Sequence, residues 1–342
     1  MDAATATRDV LTVKQGPAGR LRLNRPKALH SLNRQMVRDR ASALLEWRGD
    51  PEVRIILIDH AEGRGFCAGG DVVMLRDSGA GDGAAARAFF HAEYRLNHLL
   101  FAYAKPTVAY MDGVTMGGGV GISQPCRYRV ATQHTRFAMP ETAIGLFPDV
   151  GGGWYLSRLP GRTGQYLALT GARLDGAECR YLGLATHYVP AERLEEVKAR
   201  IADAPDRLEG ILGEASESPP EPRIADHFSP INRLFAGDRF EDVLEALEGD
   251  ESEWAAKELA GLRSKSPQAC KVSLRLLAEG AKMASFADEM RQEYAVASRV
   301  VRRHDFAEGV RALLVVGVAG FALGVPSALS EAVFQNQDFV WG

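Results

Sequence analysis

Twice in this chain a short β-branched run leads into a cluster of glycines and then a helical pattern, and this repetition restricts the available folds more than any other feature. The first run, Val53-Arg54-Ile55-Ile56-Leu57-Ile58, precedes Gly65-Phe66-Cys67-Ala68-Gly69-Gly70-Asp71. The second, Thr107-Val108-Ala109-Tyr110, precedes Met111-Asp112-Gly113-Val114-Thr115-Met116-Gly117-Gly118-Gly119-Val120-Gly121. Repeated strand-to-helix units of this kind predict an α/β fold. From about residue 191 the patterns are mainly helical, and residues 217–230 hold four prolines, which suits a connector. The boundary is expected between Pro190 and Pro230, giving a core at 1–200 and a mainly helical region at 201–342.

The 342 residues, 46% hydrophobic and 25% charged, suffice for one large domain with an appendage. Basic and acidic residues number 41 and 44 with no long run of either sign, which argues against a nucleic-acid partner. Cys67, Cys126, Cys179 and Cys270 are far apart, with neither a CxxC pair nor zinc-type histidine spacing, so a reduced compartment and no metal are expected. Residues 1–13 lack both an apolar signal core and an Arg/Ser-rich transit stretch, which predicts a cytoplasmic protein. The most apolar segment, 312–325, is short for a membrane span and holds three glycines, so it is expected in a core.

Glycines after a strand let the backbone approach a ligand, and unpaired N–H groups at a helix start favour developing negative charge. Two such loops side by side would form an oxyanion hole; each alone is equally an ordinary tight turn, and neither continues as a Walker phosphate loop. A third segment, Phe137-Ala138-Met139-Pro140-Glu141-Thr142-Ala143-Ile144-Gly145-Leu146-Phe147-Pro148-Asp149-Val150-Gly151-Gly152-Gly153, sets two carboxylates in apolar surroundings. Burial raises a carboxylate pKa and makes Glu141 or Asp149 useful in acid–base chemistry, while helix capping is the competing explanation. Within the helical stretch 84–103, Glu93 shares a face with Phe89, Phe90, Leu96 and Leu100, although a lone Glu on a helix commonly pairs with a surface Arg. His91, His98 and the other histidines are expected to be structural.

With Leu23-Asn24-Arg25-Pro26-Lys27-Ala28-Leu29 ahead of them, the glycine clusters make residues 11–194 resemble the crotonase (enoyl-CoA hydratase/isomerase) superfamily. Met116-Gly117-Gly118-Gly119-Val120-Gly121 and the third segment resemble its 3-hydroxyisobutyryl-CoA hydrolase branch. So do Leu169-Thr170-Gly171, Ala185-Thr186-His187-Tyr188-Val189, His227-Phe228-Ser229-Pro230-Ile231-Asn232, Lys265-Ser266-Pro267 and Asp305-Phe306-Ala307-Glu308-Gly309-Val310-Arg311. The resemblance implies a crotonase fold of stacked ββα units with a helical C-terminal region that helps cover the site. It also implies hydrolysis of a short 3-hydroxyacyl-CoA thioester, as in valine catabolism, with coenzyme A part of the substrate and no separate cofactor.

By the same resemblance, the Gly70 and Gly118 amides hold the thioester oxygen and Glu141 and Asp149 are catalytic. Glu93, Gly118, Glu141, Asp149, Asp71, Ala68 and Lys27 meet the substrate, and Arg25 and Lys27 are candidates for its phosphates. Glu141 either takes a proton from water or attacks to form an anhydride. Hydratases that resemble this chain carry a second glutamate where Gly121 stands, which disfavours hydration. Isomerisation and acyl-CoA binding without turnover are the other readings, and a homo-oligomer is expected of the superfamily. After Val315 the chain departs from the branch, with an apolar stretch at 316–325 in place of charged residues.

Overall fold

The structure, a computed structural model, describes residues 8–316. Among the described residues there are nine strands: Val10–Gln15 (β1), Ala18–Leu23 (β2), Ile55–His60 (β3), Gly65–Cys67 (β4), Thr107–Met111 (β5), Val114–Met116 (β6), Tyr128–Ala131 (β7), Arg136–Ala138 (β8) and His187–Tyr188 (β9). Six of them form one sheet in the order β1-β2-β3-β5-β7-β9, and three form another, β4-β6-β8. Apart from the antiparallel β1–β2 hairpin, the larger sheet is parallel, with Ile55 opposite Ala18 and Leu57 opposite Val108. The apolar runs that predicted strands at 53–58 and 107–110 thus lie in β3 and β5, where burial on both faces favours a continuous rather than alternating apolar pattern.

The helices are Arg34–Gly49 (α1), Val72–Gly79 (α2), Ala84–Phe101 (α3), Gly118–Ser123 (α4), Gly152–Leu156 (α5), Thr163–Thr170 (α6), Gly176–Tyr181 (α7), Leu194–Asp203 (α8) and Leu208–Ala215 (α9). After them come Phe228–Leu234 (α10), Phe240–Glu248 (α11), Glu253–Arg263 (α12), Pro267–Gly280 (α13), Phe286–Val300 (α14) and His304–Val316 (α15), so the described chain beyond β9 is helical, as expected. None of the described helices is long and apolar enough to cross a membrane. Of the apolar segment 312–325, residues 317–325 lie outside the described residues, as does most of the C-terminal departure.

Two compact units emerge among the described residues, each built from separate stretches: those up to 70, 99–137 and 175–220 in the first, and 71–98, 138–174 and those from 221 onward in the second. Segments 71–98 and 138–174, read from the sequence as part of the α/β core, therefore group with the helical C-terminal residues. In the first unit, Ile55, Leu57, Val108, Tyr110 and Val130 pack with Val197 and Ile201 of α8 and Ile211 and Leu212 of α9. A Cβ on Gly19 would lie 2.4 Å from the Trp47 ring, so this strand glycine makes room for α1. The second unit centres on Leu169, Phe235, Phe240, Val243, Leu262, Cys270 and Leu274.

Candidate functional site

In the first unit, β4 and β6 pair in parallel, with Gly65 opposite Val114 and Cys67 opposite Thr115, and each leads into a glycine-rich turn. The turns meet: a Cβ on Gly69, whose φ is +115°, would lie 3.8 Å from the Gly118 nitrogen and 3.6 Å from the Met116 carbonyl oxygen. Gly118 is the first residue of α4, so its amide has no intrahelical carbonyl to reach. The Leu32 amide donates to the Gly69 carbonyl at 2.7 Å in an isolated parallel bridge pairing Leu32 with Gly70. In such a bridge the facing residue, Gly70, keeps its own amide out of the pair. The two glycines named for oxygen binding thus stand on adjoining turns.

The preceding loop is anchored to the same turn. The Ala68 amide donates to the Leu29 carbonyl at 3.0 Å, and Leu29 and His30 both adopt positive φ, at 47° and 58°. His30 is fully buried; its Nδ1 accepts from the Arg25 amide at 2.9 Å and its Nε2 lies 2.8 Å from the Glu62 carbonyl. Burial pushes its pKa below the usual histidine value, which keeps the ring neutral and able to accept. Lys27 on this loop is exposed, whereas the Arg25 guanidinium donates to the Ser31 carbonyl and hydroxyl.

The second unit holds the carboxylates. Glu141 begins a 3-10 turn, Glu141–Ile144, and is only 6% exposed. Its Oε2 has no hydrogen-bond partner among the described residues. The turn is held on several sides: the Ser266 amide donates to the Thr142 carbonyl at 3.1 Å, and the Thr142 hydroxyl donates to the Leu169 carbonyl at 3.0 Å. A Cβ on Gly309 of α15 would lie 2.6 Å from the Ile144 backbone, so that glycine lets the helix rest on the turn. Asp149 is 5% exposed, and the Tyr94 hydroxyl donates to its Oδ2 at 2.6 Å. Beside Tyr94 on α3, Glu93 is buried together with Phe89, Phe90, Leu96 and Leu100, on the apolar face that helical spacing indicated.

Neither carboxylate caps a helix. Pro140 precedes the Glu141 turn and Gly151 precedes α5, both without a side-chain cap. Burial, then the charge of Asp149, raises the Glu141 pKa well above the usual carboxylate range; burial raises Asp149 to about 6, offset in part by the Tyr94 hydroxyl. Burial and the neighbouring charges of Asp149, Glu293 and Glu93 keep the Tyr94 hydroxyl protonated. Asp71, by contrast, caps α2, accepting from the Met74 amide at 3.3 Å. His91 and His98 lie against the Tyr294 and Phe286 rings of α14. Sequence reading missed Tyr94, Glu289 and Glu293; the only available signal was their adjacency to, or one-turn spacing along, apolar helical faces.

The raised Asp149 pKa has a consequence for stability. The unfolded chain releases this proton near 3.8 and the folded chain near 6, so the folded state binds more protons between those values and stability falls as pH rises through them. Asp149→Asn removes this penalty and is expected to raise stability at pH 7 by roughly 2–3 kcal/mol, with little gain below about pH 4. Urea unfolding of both proteins at pH 4, 5.5 and 7 measures it; an equal difference at all three would refute the assignment.

The profile described as "Enoyl-CoA hydratase/isomerase" matches residues 18–317. Relatives named "3-hydroxyisobutyryl-CoA hydrolase, mitochondrial" include those of Xenopus laevis, 43% identical over 89% of this chain and 81% of theirs, and Homo sapiens, 40% identical over 91% and 82%. Among solved structures, a carnitinyl-CoA dehydratase from Mycobacterium thermoresistibile matches with TM-score 0.92 and 40% identity, covering 97% of this chain and 98% of that one. An enoyl-CoA hydratase from Rhodobacter sphaeroides 2.4.1 matches with TM-score 0.87 and 38% identity, over 95% and 96%. With its two sheets, its adjoining glycine turns and a family match over nearly the whole described chain, this protein has the crotonase fold and belongs to the enoyl-CoA hydratase/isomerase family.

Proposed function

We propose that this protein hydrolyses the thioester of 3-hydroxyisobutyryl-CoA, or a similar short 3-hydroxyacyl-CoA, to the free acid and coenzyme A. The observation that carries this is the Glu141–Asp149 pair, buried and mutually repelling, with Asp149 held by Tyr94 and Glu141 presenting an unpartnered oxygen. A carboxylate with a raised pKa is suited to taking a proton from water near neutral pH. In the reaction, water oxygen bonds to the thioester carbon while Glu141 accepts the water proton. The carbonyl oxygen takes up negative charge at the Gly70 and Gly118 amides. The C–S bond then breaks, and the proton that Glu141 took from water passes to the departing thiolate, which restores the Glu141 carboxylate; the adjacent Asp149 helps that transfer. Glu93 would complete the polar end of the acyl site, with Ala68, Asp71 and Lys27 meeting the rest of the substrate. The curated relatives at 40–43% identity support this choice.

The names of the two solved structures favour a second reading, hydration or dehydration of an acyl-CoA. Against it stands Gly121, buried inside α4, where the hydratase pattern needs a carboxylate and this chain has no side chain. Purified protein given 3-hydroxyisobutyryl-CoA, and separately crotonyl-CoA, separates the two. Thiol release without loss of enoyl absorbance is expected; enoyl loss without thiol release would establish hydration instead, and binding without either would make the protein an acyl-CoA binder. A cytoplasmic location belongs to the same proposal, with the mitochondrion of the relatives as the alternative that cell fractionation tests.

A further inference from the structure

We propose that Glu293 of α14 is a positioning residue for Asp149, acting through the backbone of residues 150–153; this rests on the role given to Asp149 above. Glu293 is fully buried, its Oε2 accepting from the Gly151 amide at 2.8 Å and its Oε1 from the Gly153 amide at 3.3 Å. Between these bonds, the Gly152 amide donates to the Asp149 carbonyl at 2.8 Å. The three amides that follow Val150 are thus all engaged, two by a carboxylate more than a hundred residues away and one by Asp149 itself.

The backbone they hold is strained. Val150 has φ +53° and Gly151 φ +94°, and a β-branched residue in the left-handed region persists only where its surroundings enforce it. A buried carboxyl group receiving two amide hydrogens is such a constraint, because releasing either amide would leave a buried donor unpaired. The glycines make the approach possible. A Cβ on Gly153 would lie 1.9 Å from Glu289 Oε1, and one on Gly280 would lie 2.5 Å from the Gly153 carbonyl oxygen. Asp149 is therefore fixed from both ends, its side chain by Tyr94 and its peptide by the turn that Glu293 ties down.

Glu293 faces Glu289 one turn away on α14, Asp149 in the turn, and Tyr94 on α3, which also bears Glu93; Arg158 and Glu279 act on Glu289. Neither Glu289 oxygen receives a hydrogen bond from a donor among the described residues, and burial pushes its pKa to about 7. Burial, then the charges of Glu289 and Asp149, raises the Glu293 pKa well above the usual carboxylate range, and the two glycine amides offset this in part. The charge of Asp149 is one of the causes, which shows how closely the two carboxyl groups are set.

The test combines Glu293→Gln, Glu293→Ala, Asp149→Asn and the Asp149→Asn/Glu293→Ala double variant of the full chain. It follows thiol release from 3-hydroxyisobutyryl-CoA and amide exchange in the peptide spanning 149–153. Glu293→Gln keeps one acceptor and is expected to lose roughly tenfold in kcat, and Glu293→Ala about 100-fold, with KM within about threefold. The double variant should be no slower than Asp149→Asn alone, because Glu293 acts only through Asp149. A fall in kcat at nearly constant KM is the expected mark of a displaced Asp149 rather than of a damaged substrate site. Exchange should quicken at 149–153. Multiplying losses in the double variant, a loss carried mainly by KM, or unchanged exchange at Gly151 and Gly153 would each overturn the proposal. If the native protein releases no thiol, the hydrolase reading fails while the exchange measurement still decides the clamp; if Glu293→Ala does not fold, Glu293→Gln carries the same comparisons.

Discussion

Glu141→Gln is expected to lower kcat for thiol release by about 10²–10⁴-fold while leaving KM within about threefold. Glutamine has nearly the same shape and fits the same turn, but its amide cannot take a proton from water. The turn itself is held by groups the substitution does not touch: the Ser266 amide, the Leu169 carbonyl and the close seat of α15 at Gly309. Folding should therefore survive, and because a buried carboxylate repelled by Asp149 has been neutralised, the thermal midpoint should rise or stay level. Steady-state kinetics and a melting curve on the same preparation separate the two effects. Near-native turnover in Glu141→Gln would defeat the proposed chemistry, and a collapsed melting curve would mean that the carboxylate is structural.

The second large effect is expected at Gly119. The proposed oxygen-binding groups are main-chain amides, so no side-chain deletion removes them; they can be displaced only by crowding the backbone. A Cβ on Gly119 would lie 2.3 Å from the Cys67 carbonyl oxygen, closer than real Cβ contacts approach, and 3.0 Å from the Cys67 Cβ. Gly119→Ala must therefore part α4 from β4, which moves the Gly118 amide relative to Gly70. A stability loss of about 1–3 kcal/mol is expected from overpacking a buried contact. A fall in kcat of about 100-fold should come with it, since ångström-scale misplacement of such donors is costly. The contrast with Glu141→Gln is diagnostic: one variant loses activity without stability, the other loses both. Full activity in Gly119→Ala would show that the adjoining turns do not hold the reacting oxygen.

Much of this was legible in the chain. The apolar runs of β3 and β5 announce buried strands, and the glycines that follow mark where backbones meet, because only a residue without a Cβ fits against the Cys67 carbonyl or takes up φ of +115° at Gly69. Glu93 was legible as a polar residue on an apolar stripe. Asp71 was read as a substrate contact, and the structure gives it a local use that sequence spacing also allows, capping α2. Glu293 and Tyr94 were not legible as partners of the third segment, since their bonds to it span from 55 residues, for Tyr94, to more than a hundred.

Sequence alone determined the local elements and the residue types available for chemistry. Hydrophobic periodicity and glycine placement are short-range properties, decided by sterics and burial within a few neighbouring residues. Only the tertiary structure decided which carboxylates would be buried together and which amides would hold them. Whether Glu141 and Asp149 act as helix caps or as a mutually repelling pair depends on desolvation and on charges brought from distant helices. Those energies exist only once α3, α13, α14 and α15 have closed around the turns, removing the water that would otherwise screen every one of these groups.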